Sequence, residues 1–323
     1  MSINIIGSVT KTQRLITGMY SFDRAFRNQK GEVGFPLGKI TEISGYQGVG
    51  KSTFTFGLSG MIAKDHGNIT VADIEGFDPE FLSTILHSVG YSGDVTYIYE
   101  DNDEEILDQL IHWMKDKTYT VGMLDSVGAI SPISELDGDL GEANMGRRAK
   151  LVAQFSRKAN HVILQSPKEP KNFLLINHQH SIFGSKGINT TGGETLKYIS
   201  SVRIRLRRKE EFPNGSYVLE GKVIKNRFGY KDKLFYVFVL AGMGMHAGLT
   251  WMYDGFLLEK ITRGKVVKIG DKSLGYLKDI VEKAYKEDEQ EFFNIFKDAI
   301  SGVDKDITEN KDEEIQDGSS ESE

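Results

Sequence analysis

Gly45 to Ser52 read G-Y-Q-G-V-G-K-S, the spacing G-x-x-x-x-G-K-[ST]. The apolar run Lys39–Ser44 precedes them and S-T-F-T-F-G-L-S-G-M-I-A-K follows, so the loop joins a predicted strand to a predicted helix. Such a loop holds phosphate. Its glycines let successive backbone N–H groups curl around phosphate oxygens, and the positive end of the following helix adds to the attraction. Gly45, Tyr46, Gln47, Gly48, Val49, Gly50, Lys51, Ser52 and Thr53 are therefore the candidate nucleotide cradle. In this pattern the lysine reaches the β- and γ-phosphates and the Ser52 hydroxyl ligates Mg²⁺.

Other predicted strand ends supply the remaining chemistry. Asp125 closes T-V-G-M-L-D, where an aspartate can hold a Mg²⁺-bound water. Asp73 and Glu75 in V-A-D-I-E-G-F-D-P are two apart and lie on one side of their strand. A carboxylate beside a bound nucleotide can orient and deprotonate water. On spacing alone, Glu75 is equally readable as an ordinary strand-end acid. Gln179 ends the fifth predicted strand, its amide placed to feel a γ-phosphate. His178 and His180 flank it without a third ligand, which is too little for a metal site.

Three further segments carry polar chemistry. Gly138, Gly141 and Gly146 break up a polar stretch that must be a loop, and Arg147, Arg148 and Lys150 follow it. A basic cluster there can track a phosphate backbone or form a solvated helix face. Gly192 and Gly193 allow close backbone approach to a phosphate, or a simple turn. Lys225 and Arg227 are two apart on a predicted strand and face the same way.

The elements that must position these residues alternate. Strands are predicted at Lys39–Ser44, Asn68–Glu75, Val95–Glu100, Thr120–Asp125 and Phe173–Gln179, with helices after the loop, at Glu104–Lys115 and at Asn144–Val162. Val202–Arg207, Tyr217–Ile224 and Leu234–Leu240 then follow as strands joined by turns such as P-N-G. This order implies an α/β core with a mostly parallel sheet and an antiparallel extension. Residues 1–35 form a short lead-in, 36–246 the core, 247–303 a small α/β domain, and 304–323 a disordered acidic tail.

Composition narrows the class. The chain has 323 residues, 39% hydrophobic and 27% charged, with no apolar run long enough for a membrane span. The first residues lack the pattern of a signal peptide, and the absence of cysteine excludes disulfides and cysteine-ligated zinc. The net charge of -6 is uneven, since residues 304–323 carry nine acidic side chains and two lysines. The remaining body is nearly neutral, with local basic clusters, so charge distribution outweighs the bulk value.

From about Gln13 to Asn226 the chain resembles the RecA family of homologous-recombination ATPases. L-I-T-G-M-Y-S-F-D-R-A-F and G-F-P-L-G-K-I-T-E-I-S-G are similar to that family's lead-in to the phosphate loop. D-I-E-G-F-D-P-E-F resembles its second-strand motif, which puts Glu75 on the catalytic glutamate, Phe81 on the residue that stacks on adenine, and Asp78 beside it. L-D-S-V-G-A-I-S-P resembles its Asp-bearing strand. Glu135–Gly146 resembles the first DNA-binding loop, with Met145 on the base-wedging position and Gly146, Arg147 and Arg148 next to it. Thr190–Tyr198 resembles the end of the second loop, so Ile182, Phe183, Lys186, Ile188, Thr191, Gly192 and Gly193 become candidate DNA contacts. Lys222–Arg227 resembles the segment whose basic pair reaches a neighbouring subunit's ATP. In such proteins the glutamine at Gln179 couples ATP to DNA binding, as a γ-phosphate contact that orders a loop.

The resemblance implies a RecA-like ATPase core and an ATP- and Mg²⁺-dependent DNA recombinase. It implies single-stranded and homologous double-stranded DNA as partners, self-association into a helical filament, single-strand-binding or mediator proteins as further partners, and a cytoplasmic, nucleoid-associated setting. The chain departs from the pattern in three places. The residue before Gln179 is usually asparagine and is His178 here; only about a dozen residues precede the core; and the second loop looks short. An accessory RecA-fold ATPase and a hexameric helicase are the alternative readings. The acidic tail is readable either as a competitor of DNA or as a solubilising segment.

Overall fold

The computed structural model describes residues 11–65, 67–133, 146–181, 188–190, 193–286 and 289–300. They form two compact units, divided between Met245 and His246. In the first, β1 (Arg14–Leu15) pairs antiparallel with β2 (Phe35–Pro36) around the short helix α1 (Tyr20–Ala25). Asp23 fixes that helix by accepting from the Thr17 and Gly18 backbone N–H groups and the Thr17 hydroxyl.

The alternating part runs β3 (Ile40–Gly45), α2 (Lys51–Ala63), β4 (Asn68–Asp73), α3 (Pro79–Ser88), β5 (Val95–Ile98), α4 (Asp103–Lys115) and β6 (Tyr119–Asp125). It continues with α5 (Arg147–Gln165), β7 (Asn172–Ser181), β8 (Ile188–Thr190) and α6 (Gly193–Ile199). Asn102 starts α4 by accepting from Glu105 N–H, and three acids occupy its first turn, where the helix dipole favours them. Three long strands follow, β9 (Val202–Glu211), β10 (Tyr217–Asn226) and β11 (Lys233–Leu240), then the short β12 (Gly244–Met245).

Across the main sheet the order is β5-β4-β6-β7-β3-β9-β10-β11-β12, with β8 attached to the end of β7. Neighbours from β5 to β9 are parallel, and β10, β11 and β12 are antiparallel. This is the expected mixed sheet, with one adjustment. The strand expected to open the antiparallel extension, β9, is parallel to β3 on its other side, so the sheet changes sense between β9 and β10.

The sheet separates two hydrophobic cores. One contains Phe22, Phe54, Leu174 and Phe235; the other contains Ile40, Leu110, Phe155, Phe173 and Leu175. Successive residues of β7 thus point to opposite sides, as the two-residue period of a strand requires. That alternation decides which residues of β7 reach the site.

The second unit holds α7 (Ala247–Leu257), the antiparallel strands β13 (Thr262–Arg263), β14 (Val267–Ile269) and β15 (Lys272–Gly275), and helices α8 (Leu277–Lys283) and α9 (Glu289–Ile300). α7 packs on α9, and buried Leu249 and Met252 lie among its apolar residues with Phe292 and Phe296 on α9.

Candidate nucleotide site

A cleft of about 380 Å³ opens where the loop after β3 meets the ends of β4, β6 and β7. Ligands of open α/β sheets bind in this place, outside the carboxyl ends of parallel strands. Gln47, Gly48, Gly50, Lys51, Ser52 and Thr53 line one end, with Glu75, Asp125 and His178 beside them. Phe81, Arg208, Tyr217 and residues of 239–244 complete it.

Gly50 shows why the loop needs glycine. Its φ is +102°, a left-handed value, and a Cβ there would lie 2.7 Å from the Tyr217 hydroxyl. Lys51 opens α2 and donates from Nζ to the Tyr46 carbonyl at 3.1 Å. Burial lowers its pKa, against the opposing pull of Asp125 and Glu75. Ser52 donates from Oγ to Asp125 Oδ2 at 2.6 Å. Burial drives the Asp125 carboxyl up to about 6, and the nearby charges of Glu75 and Asp73 push the same way against Ser52 and Lys51.

A hydroxyl and a carboxylate side by side under a phosphate loop are hard oxygen donors that fit Mg²⁺. Among the described residues no group of three or more His, Cys, Asp or Glu side chains could hold a metal alone.

Glu75 sits on a loop pinned by Asp73. Asp73 accepts from the backbone N–H groups of Glu75, Gly76 and Phe77 at 3.0, 2.9 and 2.8 Å. It also accepts from the Tyr97 hydroxyl, whose pKa is pushed well above its usual value by burial and by this bond. The Ile74 N–H reaches the Asp125 carbonyl at 2.7 Å, tying the loop to β6. Glu75 Oε1 accepts from Ser126 Oγ and lies 2.6 Å from His178 Nε2. Burial alone would raise the Glu75 pKa, but the bonds from Ser126 and His178 and the charge of Lys51 prevail and lower it.

The other sequence-derived residues divide. Phe81 lines the cleft, half-exposed, on α3. Gly45, Tyr46 and Val49 belong to the loop but not to the cleft wall, and Asp78 accepts from Glu80 N–H as the cap of α3. Gln179 departs from expectation: it is buried, and its amide donates to Ser44 Oγ at 2.9 Å instead of facing the cleft. Strand alternation is the reason. His178 falls on the cleft side, while Gln179 joins Asn177, whose amide donates to Glu42 at 2.8 Å, with Arg203 bonded to the same carboxylate.

Lys225 and Arg227 also lie outside the cleft. Arg227 falls just past the end of β10, yet both side chains reach the end of α6. Lys225 donates to the Lys197 and Tyr198 carbonyls at 2.6 and 2.9 Å, and Arg227 to the Tyr198 carbonyl at 2.5 Å. Burial lowers the Lys225 pKa to about 8, aided by Arg227 and Arg203.

Of the DNA candidates, Met145, Ile182, Phe183, Lys186, Thr191 and Gly192 lie outside the described residues. Gly146 caps α5 with a φ of +100°, and the helix expected from Asn144 is described from Arg147. Arg148 donates to the Gly128 carbonyl at 3.2 Å. The backbone of Ile188 lies in β8 and that of Gly193 opens α6.

Sequence reasoning missed Ser126, Arg208, Tyr217 and the 239–244 segment, and read His178 as a departure from the family and as half of a histidine pair too small for a metal site. Tyr217 and Arg208 form a stacked pair, the guanidinium 4.3 Å from the ring centroid. No local spacing announces that contact, because it joins β9 to β10.

Fold and cleft together define a phosphate-loop nucleotide-binding protein of the α/β class. A family model described as the RecA N-terminal domain matches residues 2–245, and the chain belongs to the RecA family. It is 28% identical over 241 residues to the mitochondrial DNA repair protein recA homolog of Dictyostelium discoideum, covering 71% of this chain and 50% of that protein. It is 27% identical over 251 residues to protein RecA of Limosilactobacillus reuteri, covering 76% of this chain and 67% of the relative. For protein RecA of Staphylococcus aureus the figures are 27% over 235 residues, 71% and 65%. The matches thus span half to two thirds of these relatives' lengths. Among the described residues no helix is long and apolar enough to cross a membrane.

Proposed function

We propose that this protein is an ATP-dependent DNA recombinase, which coats single-stranded DNA as a helical filament and promotes homologous pairing and strand exchange. One observation carries the reading: a single cleft gathers a lysine on a glycine-rich loop, a Ser–Asp pair suited to Mg²⁺ and a carboxylate suited to activating water. Lys51 and the loop backbone hold the β- and γ-phosphates. Ser52 and Asp125 would hold Mg²⁺, which would neutralise phosphate charge. Glu75 takes a proton from the water that attacks the γ-phosphorus, the bond to the β-phosphate oxygen breaks, and ADP and phosphate leave. Phe81, exposed on the cleft wall, offers an aromatic face to the base.

Lys225 and Arg227 serve a neighbouring subunit's triphosphate. Each exchanges a helix-end carbonyl for phosphate oxygens when subunits stack head to tail, a contact that does not close and so yields an open helix. Met145–Arg148 and the 182–193 segment hold DNA. Single-strand-binding or mediator proteins assist loading, in a cytoplasmic, nucleoid-associated setting.

Joint-molecule formation tests the proposal. With ATP, single-stranded DNA and a homologous supercoiled duplex, joint molecules should form and should need both homology and ATP. Electron microscopy with a non-hydrolysable ATP analogue should show filaments. Filaments without joint molecules point to an accessory ATPase, and rings that unwind forked DNA point to a helicase.

A further inference from the structure

The chain before the phosphate loop does more than lead into it. Arg14, on β1, carries a guanidinium whose planar fork donates to several oxygens at once. It joins three separate segments through their carbonyls. Nη1 donates to the Phe26 and Gly34 carbonyls at 2.8 and 2.9 Å, and Nη2 to the Phe228 carbonyl at 2.7 Å. Phe26 caps the end of α1 and Gly34 precedes β2, so two of the three belong to the lead-in itself. The third lies 214 residues further along the chain, directly after Arg227.

The turn that holds Phe228 is fixed from several directions. Asn226 Oδ1 accepts from the Phe228 N–H at 2.9 Å, and the Asn226 amide donates to the Tyr230 carbonyl at 3.2 Å. The Tyr230 N–H donates to the Arg27 carbonyl at 3.2 Å. Lys39 Nζ stands 4.6 Å from the centroid of the Phe228 ring. Gly229 lets the turn come this close, since a Cβ there would lie 2.4 Å from the Arg27 carbonyl oxygen. These anchors differ from those of the basic side chains. Lys225 and Arg227 lean on the end of α6, and on the proposed reading they give up those bonds for phosphate oxygens. The backbone that carries Arg227 must then be held by something else. Its own N–H donates to the Ser201 carbonyl at 3.1 Å, and the next residue hangs from Arg14. A cation acts on a phosphate only from the right place, and a misplacement of about 1 Å costs up to about a hundredfold in rate.

We propose that Arg14 is a positioning residue for the basic pair: by clamping the Phe228 carbonyl to the lead-in, it keeps the backbone of Arg227 in place when the side chain turns to a neighbouring subunit's triphosphate. The inference rests on the reading of Lys225 and Arg227 as acting on a neighbour. It predicts a defect of a particular kind, in which a chain's own cleft stays sound and only the cations it offers to the next subunit are lost.

The test is ATP turnover by the full chain, saturated with an oligo-dT strand, in two variants that attack the clamp from opposite sides. Arg14→Gln removes the fork, and Gly229→Ala forces the turn off the Arg27 carbonyl. Each should lower kcat about tenfold, less than loss of the cation itself, with affinity for a fluorescent ADP analogue within about twofold of the parent. Mixing then separates positioning from support of the fold. In an equimolar mixture with Lys51→Ala, the intact clefts belong to the clamp variant and the intact clamps to the Lys51→Ala chain. About half of the clefts then meet a sound pair, so turnover per clamp-variant chain should rise about fivefold. Arg227→Ala mixed in the same way should also recover. Parental turnover in either clamp variant overturns the proposal. Loss of ADP-analogue affinity in both also overturns it, because the clamp then holds the fold and not the pair; where one variant loses that affinity, the other carries the comparison. If Arg227→Ala recovers on mixing and the clamp variants do not, the positioning role fails and the reading of the basic pair stands. If none recovers, the reading of the pair itself fails.

Discussion

Lys51 and Lys225 are both lysines with lowered pKa values, yet their surroundings differ in kind. Lys51 lies in a cleft whose other members, Ser52, Glu75 and Asp125, come from the same chain and already touch one another or the same loop. Lys225 and Arg227 lie outside that cleft and lean on the terminal carbonyls of α6. Helix-end carbonyls carry partial negative charge and are a weak substitute for an anion. One region gathers its polar groups within the chain. The other is a pair of cations held by helix-end carbonyls, which on the proposed reading are exchanged for a neighbour's phosphate oxygens.

The largest effect should come from the cleft. Lys51→Ala should lower ATP turnover by about a thousandfold or more, in line with removal of a phosphate-stabilising cation. Phosphate release with and without DNA measures it. Retained turnover would mean that the cleft is not the hydrolytic site. The contrast with the second region is then sharpened by Lys225→Ala and Arg227→Ala. Each should reduce DNA-stimulated turnover about a hundredfold, somewhat below the usual effect of a cation supplied in trans. Each should leave affinity of the isolated chain for an ADP analogue unchanged. Equal loss of nucleotide affinity would place these residues in the chain's own site and erase the distinction.

The cleft has two ends, and they were not equally legible in the sequence. The phosphate end is a run of consecutive residues whose spacing is itself the chemistry, so Gly45–Thr53 could be read directly. Asp125 and Glu75 could be placed because acidic residues break apolar runs where strands end. The other end is built from β9, β10 and the 239–244 segment, and only tertiary packing brings Arg208 onto Tyr217. The register of β7 was hidden for a different reason. Phe173, Leu174, Leu175 and Ile176 are buried on both sides of the sheet, so their sequence shows no alternation. Without it, the choice between His178 and Gln179 as the residue facing the cleft cannot be made, and a shift of one residue reverses it. The parallel pairing of β9 was masked by the hairpin chemistry on its other edge.

Tyr217 tests whether the illegible end binds rather than reacts. Tyr217→Leu removes the ring that Arg208 covers and that packs over Gly50. It should raise KM for ATP about tenfold, because the Arg208–Tyr217 pair that walls the cleft beside the loop is lost, with kcat within about twofold. A fall in kcat with unchanged KM would instead mean that the ring acts on the reaction through the phosphate loop it touches at Gly50.

The smallest effect is a pH dependence that belongs to Lys225. Its ammonium is destabilised chiefly by burial, with repulsion from Arg227 and Arg203, so its pKa in the isolated chain is about 8. A lysine with a lowered pKa is charged below that value and neutral above it. A contact to a neighbour's phosphate needs the charged form, so the fraction of chains able to make it falls as pH rises through about 8. At pH 8.5 roughly a quarter would remain protonated, which is about a fourfold loss. DNA-stimulated turnover at low protein concentration, where assembly limits the rate, should therefore decline on the alkaline side of pH 8. Lys225→Arg keeps its charge across this range and should flatten the decline. Turnover by Lys51→Arg cannot serve as the control, since that residue acts inside the cleft; nucleotide affinity of the parent chain across the same pH range can. If the alkaline decline persists in Lys225→Arg, the titrating group lies elsewhere, and the second region is not the one that couples assembly to hydrolysis.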